Sequence, residues 1–155
     1  MFKNNSILIS GIGIANSCIK LTKHLIKEKY DLVINMGIAG SFNKNIKIGD
    51  VVEVIEDTFS EIGFESDENF QIFSQDLIKS NYINSQKTEL KKVKSITVNT
   101  VHGNTNSIKK IKERLNPDIE SMEGASVFQV CKEFNIPCLQ IRSISNKVEK
   151  RNKKN

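Results

Sequence analysis

Residues 118–131, Asp118-Ile-Glu-Ser-Met-Glu-Gly-Ala-Ser-Val-Phe-Gln-Val-Cys131, change their period in mid-stretch. Asp118 to Met122 reads as the end of a buried strand, and from Gly124 onward Ala125, Phe128 and Cys131 recur at the spacing of one apolar helix face. Glu123 therefore stands at a strand-to-helix turn. Open α/β sheets place their ligand crevices where such turns leave the carboxyl ends of strands, so a carboxylate there is a candidate substrate contact. The competing reading is a first-turn glutamate that complements the helix dipole, worth under about 1 kcal/mol.

Working outward, the same unit recurs. Ser6–Ser10 is a short apolar run that suits a central strand, Gly11 and Gly13 form a turn, and Ile14, Cys18, Leu21, Leu25 and Ile26 line one face of a helix to Lys29. The turn G-I-G-I-A-N has Asn16 where a dinucleotide fingerprint needs its third glycine, and no acidic partner follows at a strand end, which argues against NAD. Asp31–Met36 is a continuous apolar strand, followed by Gly37 and Gly40, where backbone can approach a flat ligand with Ala39 as a small wall. A glycine-rich strand exit packed against its neighbour reads equally well.

Asn43–Asp50 is a polar turn and Val51–Ile55 a strand. Glu56–Glu65 either borders a pocket or forms an edge hairpin, and Gln75–Ser85 is either a helical turn or a covering loop. Ser95–Val101 is rich in β-branched residues and reads as a strand closed by His102 and Gly103. His102 either touches substrate or hydrogen-bonds a neighbouring loop. Asn104 or Thr105 caps a helix to Leu115 with Ile108, Ile111 and Leu115 inward, and Pro117 stops it.

After the helix that ends near Asn135, Cys138–Ser143 is the last strand, with Asn146 just past it and a basic tail, Lys147–Asn155, without a core face. Four strand-turn-helix units predict an α/β fold with a three-layer, mainly parallel or mixed sheet and right-handed crossovers. Asn146 is then expected on the same carboxyl edge as Gly40, Val101 and Glu123.

The 155 residues suit one domain, and 38% hydrophobic with 26% charged residues is an ordinary globular composition. No apolar run reaches the roughly 20 residues of a membrane span, and no signal peptide is visible. Cys18, Cys131 and Cys138 are odd in number and lack metal spacing, which points to reduced thiols in a cytoplasmic compartment; His24 and His102 are far apart, so no metal site is expected. The net charge of +5 raises nucleic-acid binding, but the lysines are scattered without aromatic interleaving, so none is expected.

The run E-S-M-E-G-A-S, with C-L-Q-I-R-S-I-S-N after one helix, resembles the signature of the purine nucleoside phosphorylase and nucleosidase superfamily, and within it the futalosine hydrolases of menaquinone biosynthesis. S-G-I-G-I-A-N at Ser10, N-M-G-I-A-G-S-F at Asn35 and N-T-V-H-G-N at Asn99 agree in order. The resemblance implies one domain over residues 1–155, incomplete at both ends: members begin with a further strand and acidic loop, and close with a further helix. It implies Glu123 and Asn146 as catalytic residues, Ala39, Gly40, Val101 and Met122 as substrate-binding, no cofactor, and a homodimer or higher homo-oligomer. The family's acid that positions the attacking water has no evident replacement among Glu53, Glu56, Asp57 and Glu61.

The side chains suit that chemistry. No serine or cysteine has the histidine and orienting group of a triad. N-glycosidic cleavage needs a stabilised ribosyl cation, a water and hydrogen bonding to the departing base. Glu123 is a sensible ribose clamp. Asn146 cannot protonate a purine as an aspartic acid would; it can only donate a hydrogen bond, which fits a 6-oxopurine such as the hypoxanthine of futalosine. Arg142 and Arg151 are not evident phosphate ligands, which favours water as nucleophile. The alternatives are a methylthioadenosine/adenosylhomocysteine nucleosidase, a purine nucleoside phosphorylase, or an inactive nucleoside-binding subunit.

Overall fold

The computed structural model describes residues 6–67, 69–73, 79–80 and 88–151. Among the described residues there are three helices, α1 (Ile14–Lys27), α2 (Thr105–Leu115) and α3 (Gly124–Glu133), and eight strands. These are β1 (Val33–Ser41), β2 (Val51–Phe59), β3 (Gly63–Glu65), β4 (Phe70–Ile72), β5 (Lys79–Ser80), β6 (Lys91–Thr97), β7 (Ile119–Ser121) and β8 (Cys138–Lys147). The fold is α/β with a mixed sheet in the order β5-β2-β6-β7-β1-β8, and a further β2–β8 pairing joins the row into a ring.

The sheet is less parallel than the alternation of elements predicts. β1 and β8 run together, β2, β6 and β7 run together, and the two sets meet antiparallel at β1–β7 and β2–β8. The strands therefore run in both directions, and the segment after β6 that holds Val101 brings His102 against Phe42, just past β1, and Gly103 O to Arg151 N, beyond β8.

One core joins Leu21 and Leu25 of α1, Val127, Phe128 and Cys131 of α3, and the sheet residues Val52, Val54, Val93 and Ile144. A smaller cluster sets Ile111 of α2 against Ile96, Val98, Phe42 and Val148. The second face of the sheet is thus only partly covered: Ile34, Met36 and Ile38, alternating along β1, remain exposed.

Several boundaries move. Ser6–Ser10 is not a strand; Ile7 and Ile9 are exposed, and a cavity of about 410 Å³ lies between this segment and Val33–Met36 of β1. Ile26, expected on the buried face of α1, is exposed. β1 continues through Gly37–Ser41, which therefore form strand rather than loop, and β8 continues to Lys147, so Asn146 lies inside it. The tail has a core contact after all, because Val148 is buried. Glu56–Glu65 resolves into the end of β2 and the β3–β4 hairpin. Most of Gln75–Ser85 lies outside the described residues.

Candidate active site

Glu123 occupies the turn between β7 and α3, as the change of period predicts, and is the N-cap residue of α3. The turn is tight because Gly124 abuts a buried polar network. A Cβ at 124 would lie 2.0 Å from Asp57 Oδ2 and 2.4 Å from Gln140 Nε2. Gln140 Nε2 donates to Asp57 Oδ2 at 2.8 Å, while Thr97 Oγ1 donates to Asp57 Oδ1 at 2.8 Å and accepts from Ala125 N at 2.8 Å. The network thus fastens the first turn of α3 to β2, β6 and β8. Burial pushes the Asp57 carboxyl up to about 6, against the opposing pull of its hydrogen bonds and of the Arg142 charge.

The Glu123 side chain reaches away from its own helix. Its Oε1 accepts from Gly13 N at 2.8 Å, and Gly13 is the N-cap residue of α1 with φ 88°, a backbone conformation suited to glycine. Two helix starts therefore converge on one carboxylate, where both dipoles favour negative charge. Oε2 makes no hydrogen bond among the described residues. Arg142 lies close enough for Glu123 and Asp57 to support its charge, while burial opposes it. It is 1% exposed, and its Nη1 donates to Asn35 O at 3.2 Å and Ile141 O at 3.0 Å.

A second group of residues forms where three strands lie side by side. Glu120 of β7 pairs with Gly40 of β1, and Gly40 pairs with Asn146 of β8 just after the register shift at Ala39/Gly40. A Cβ on Gly40 would meet Val148 Cγ2 at 2.9 Å and Asn146 Nδ2 at 3.1 Å, so glycine here is a matter of close approach. Asn146 is exposed; its Nδ2 donates to Lys147 O at 3.0 Å and its Oδ1 accepts from Ser145 Oγ at 2.8 Å.

Glu120 was not singled out by the sequence. Its side chain is 3% exposed, Oε1 accepts from His102 N at 3.0 Å, and Oε2 pairs with His102 Nδ1 at 2.6 Å. The signal was a charged residue inside an apolar strand, since a buried carboxylate is costly unless paired. Phe42 meets the His102 ring edge-on, with centroids 5.9 Å apart. Val101 and His102 line a cavity of about 390 Å³ together with Glu61 and Arg151.

Of the residues singled out from sequence, the structure brings Gly40 and Asn146 into contact distance, with Ala39 buried one step earlier in β1. Met122 packs on the cluster that holds Phe42 and Val148. Val101 faces the neighbouring cavity through His102, and Glu123 stands beyond the end of β7 against α1. Among the acids considered for positioning water, Asp57 is held in its network, Glu53 pairs with Lys92 and Thr88, and Glu61 accepts from Asn99 N at 3.1 Å. No group of three or more His, Cys, Asp or Glu side chains suited to a metal ion occurs among the described residues. No helix among them is long and apolar enough to cross a membrane.

A 5'-methylthioadenosine/S-adenosylhomocysteine nucleosidase of Maridesulfovibrio salexigens is 32% identical to this chain over 159 residues, covering 92% of this chain and 68% of its own length. The fold matches the solved structure titled Helicobacter pylori MTAN with a TM-score of 0.76 at 23% identity, over 88% of this chain and 67% of that one. It matches a futalosine hydrolase mutant of Helicobacter pylori strain 26695 with a TM-score of 0.77 at 23% identity, over 90% and 67%. At such identities the solved structures speak for the fold alone. The model of the phosphorylase superfamily matches residues 2–155, and the chain belongs to that superfamily.

Proposed function

We propose that the protein hydrolyses the N-glycosidic bond of a purine nucleoside, with futalosine as the substrate and hypoxanthine as the released base. The observation that carries this reading is the amide of Asn146 set against Gly40, in a fold whose other flank holds the carboxylate of Glu123 at two helix starts. Glu123 accepts hydrogen bonds from the ribose hydroxyls through Oε2, and its charge favours the cationic sugar as the bond breaks. Asn146 donates to the 6-oxo group or N7 of the base. Ala39, Gly40, Val101 and Met122 form the apolar surround. Water is the nucleophile in this reading, because Arg142 is buried and engaged with Asn35 rather than offered to phosphate.

The name of the Maridesulfovibrio relative favours a second reading, hydrolysis of methylthioadenosine or adenosylhomocysteine. Liquid chromatography separates the two. The purified protein is given futalosine and methylthioadenosine in phosphate-free buffer; hypoxanthine from the first supports the proposal, and adenine from the second alone supports the relative's activity. Release only after phosphate is added means phosphorolysis. Calorimetric binding without release of either base means a nucleoside-binding subunit. Size-exclusion chromatography with light scattering tests the expected homodimer or higher homo-oligomer.

A further inference from the structure

We infer that His102, held by Glu120, donates the proton that the departing purine takes up. The inference deepens the nucleosidase reading and rests on it. Asn146 occupies the place beside the base, and an amide carries no transferable proton. One strand away across Gly40 stands Glu120, buried and bonded twice to His102, through the backbone N at 3.0 Å and through Nδ1 at 2.6 Å.

A carboxylate at Nδ1 fixes the hydrogen there and leaves Nε2 as the position that gains and loses a proton. Nε2 makes no hydrogen bond among the described residues, and His102 lines the 390 Å³ cavity next to Val101. Phe42 against the ring edge holds the plane of the imidazole. The ring is thus anchored on one nitrogen, leaves the other without a hydrogen bond among the described residues, and belongs to a residue that borders a cavity, which suits a proton carrier. A histidine that merely closed a loop would need neither the cavity nor a buried partner.

The step balances as follows. The bond from C1' to the base nitrogen breaks and its electron pair goes to the base. The proton on Nε2 passes to a base nitrogen, leaving neutral imidazole. Water bonds to C1' and releases a proton to solvent, from which the imidazole is recharged. Among the described residues, the charged groups around His102 are Glu120 from β7, Glu61 after β2 and Arg151 beyond β8, with the uncharged Asn104, the cap of α2, and Ser107 within it.

The test compares two leaving groups. Futalosine or methylthioadenosine, whichever the protein turns over, needs a proton on its base; p-nitrophenyl riboside does not, because nitrophenolate leaves as the anion. The wild-type kcat for the purine nucleoside should fall tenfold per pH unit above one titration, and that for the nitrophenyl riboside should not. His102→Gln should lower purine release at least about 100-fold and nitrophenol release less than tenfold. Glu120→Gln, which loosens the hold on the ring, should lower purine release more than nitrophenol release. Parallel pH profiles for the two substrates, or equal losses on both in His102→Gln, overturn the inference while leaving the nucleosidase reading intact. Absence of purine release by the wild-type protein ends that reading and the inference with it. If His102→Gln does not fold by circular dichroism, the wild-type comparison still decides.

Discussion

The carboxyl of Asp57 makes the fold less stable at neutral pH than in mild acid, and the size of the effect follows from its surroundings. It is fully buried beneath Gly124 and titrates near 6 in the fold, against 3.8 for the ordinary carboxyl. Between those values the native state holds a proton that the unfolded chain has released. The sign is therefore fixed: the stabilisation is complete below pH 3.8, declines as pH rises, and levels off above 6, for a total of about 3 kcal/mol at 1.36 kcal/mol per pH unit. Asp57→Asn removes the titration and keeps one oxygen to accept from Thr97. Urea unfolding followed by circular dichroism at pH 4, 5, 6 and 7 gives both stabilities. The wild-type value minus the variant value should fall by about 2.4 kcal/mol from pH 4 to pH 7, groups common to both cancelling. A difference that is flat or rises would refute the reasoning, because it would mean that the Arg142 charge outweighs burial and depresses the Asp57 titration.

Gly124→Ala drives a methyl to within 2.0 Å of Asp57 Oδ2 and breaks its bond to Gln140; a loss of about 3 to 5 kcal/mol, overpacking plus a severed buried bond to a charge, should appear as a lower Tm by calorimetry. Asn104 caps α2 by accepting from Asn106 N and Ser107 N, so Asn104→Ala should cost about 1 kcal/mol in urea unfolding. Glu123→Gln keeps an acceptor for Gly13 N and loses the charge, so kcat should fall about 100-fold, with a lower Tm because the buried Arg142 loses part of its compensation. Asn146→Asp supplies an acid beside the base, and kcat/KM for methylthioadenosine relative to futalosine should rise at least about tenfold, measured by base release.

Much of the fold was legible because its elements keep their periods. The switch from strand to helix at Gly124, the cap at Asn104 and the stop at Pro117 all rest on local rules, and local structure obeys them. Strand direction was not legible. Alternating strands and helices suggest parallel pairing, yet β7 lies antiparallel to β1, a choice made by contacts between Gly40 and Glu120 that are 80 residues apart in sequence. The same limit applies to the site. Gly40 and Glu123 stood out as a glycine at a strand exit and a carboxylate at a turn, and Asn146 through the resemblance of the run C-L-Q-I-R-S-I-S-N to the superfamily's signature. Glu120 and Asp57 did not, since each looks like an ordinary acid until its buried partners, His102 and Gln140, are brought to it from distant elements.

The buried charges explain why a network that lowers stability at neutral pH suits this position. Asp57, Arg142 and Glu123 interact in sequence beneath one turn, with Arg142 supported by the other two against its own burial. Removing either carboxylate leaves a buried guanidinium less compensated, and removing the guanidinium leaves Asp57 costlier still. What the arrangement fixes is position. Thr97 takes the Ala125 amide because Asp57 takes the Thr97 hydroxyl, and Glu123 reaches Gly13 because α3 starts where Ala125 is held. A carboxylate that must meet a developing positive charge gains from being placed before the substrate arrives, since no reorganisation is then required as the bond breaks. On the proposed function the placement depends on Asp57, Thr97 and Gln140, and the contribution of Asp57 to stability is smallest in the neutral range, where its carboxyl is ionised.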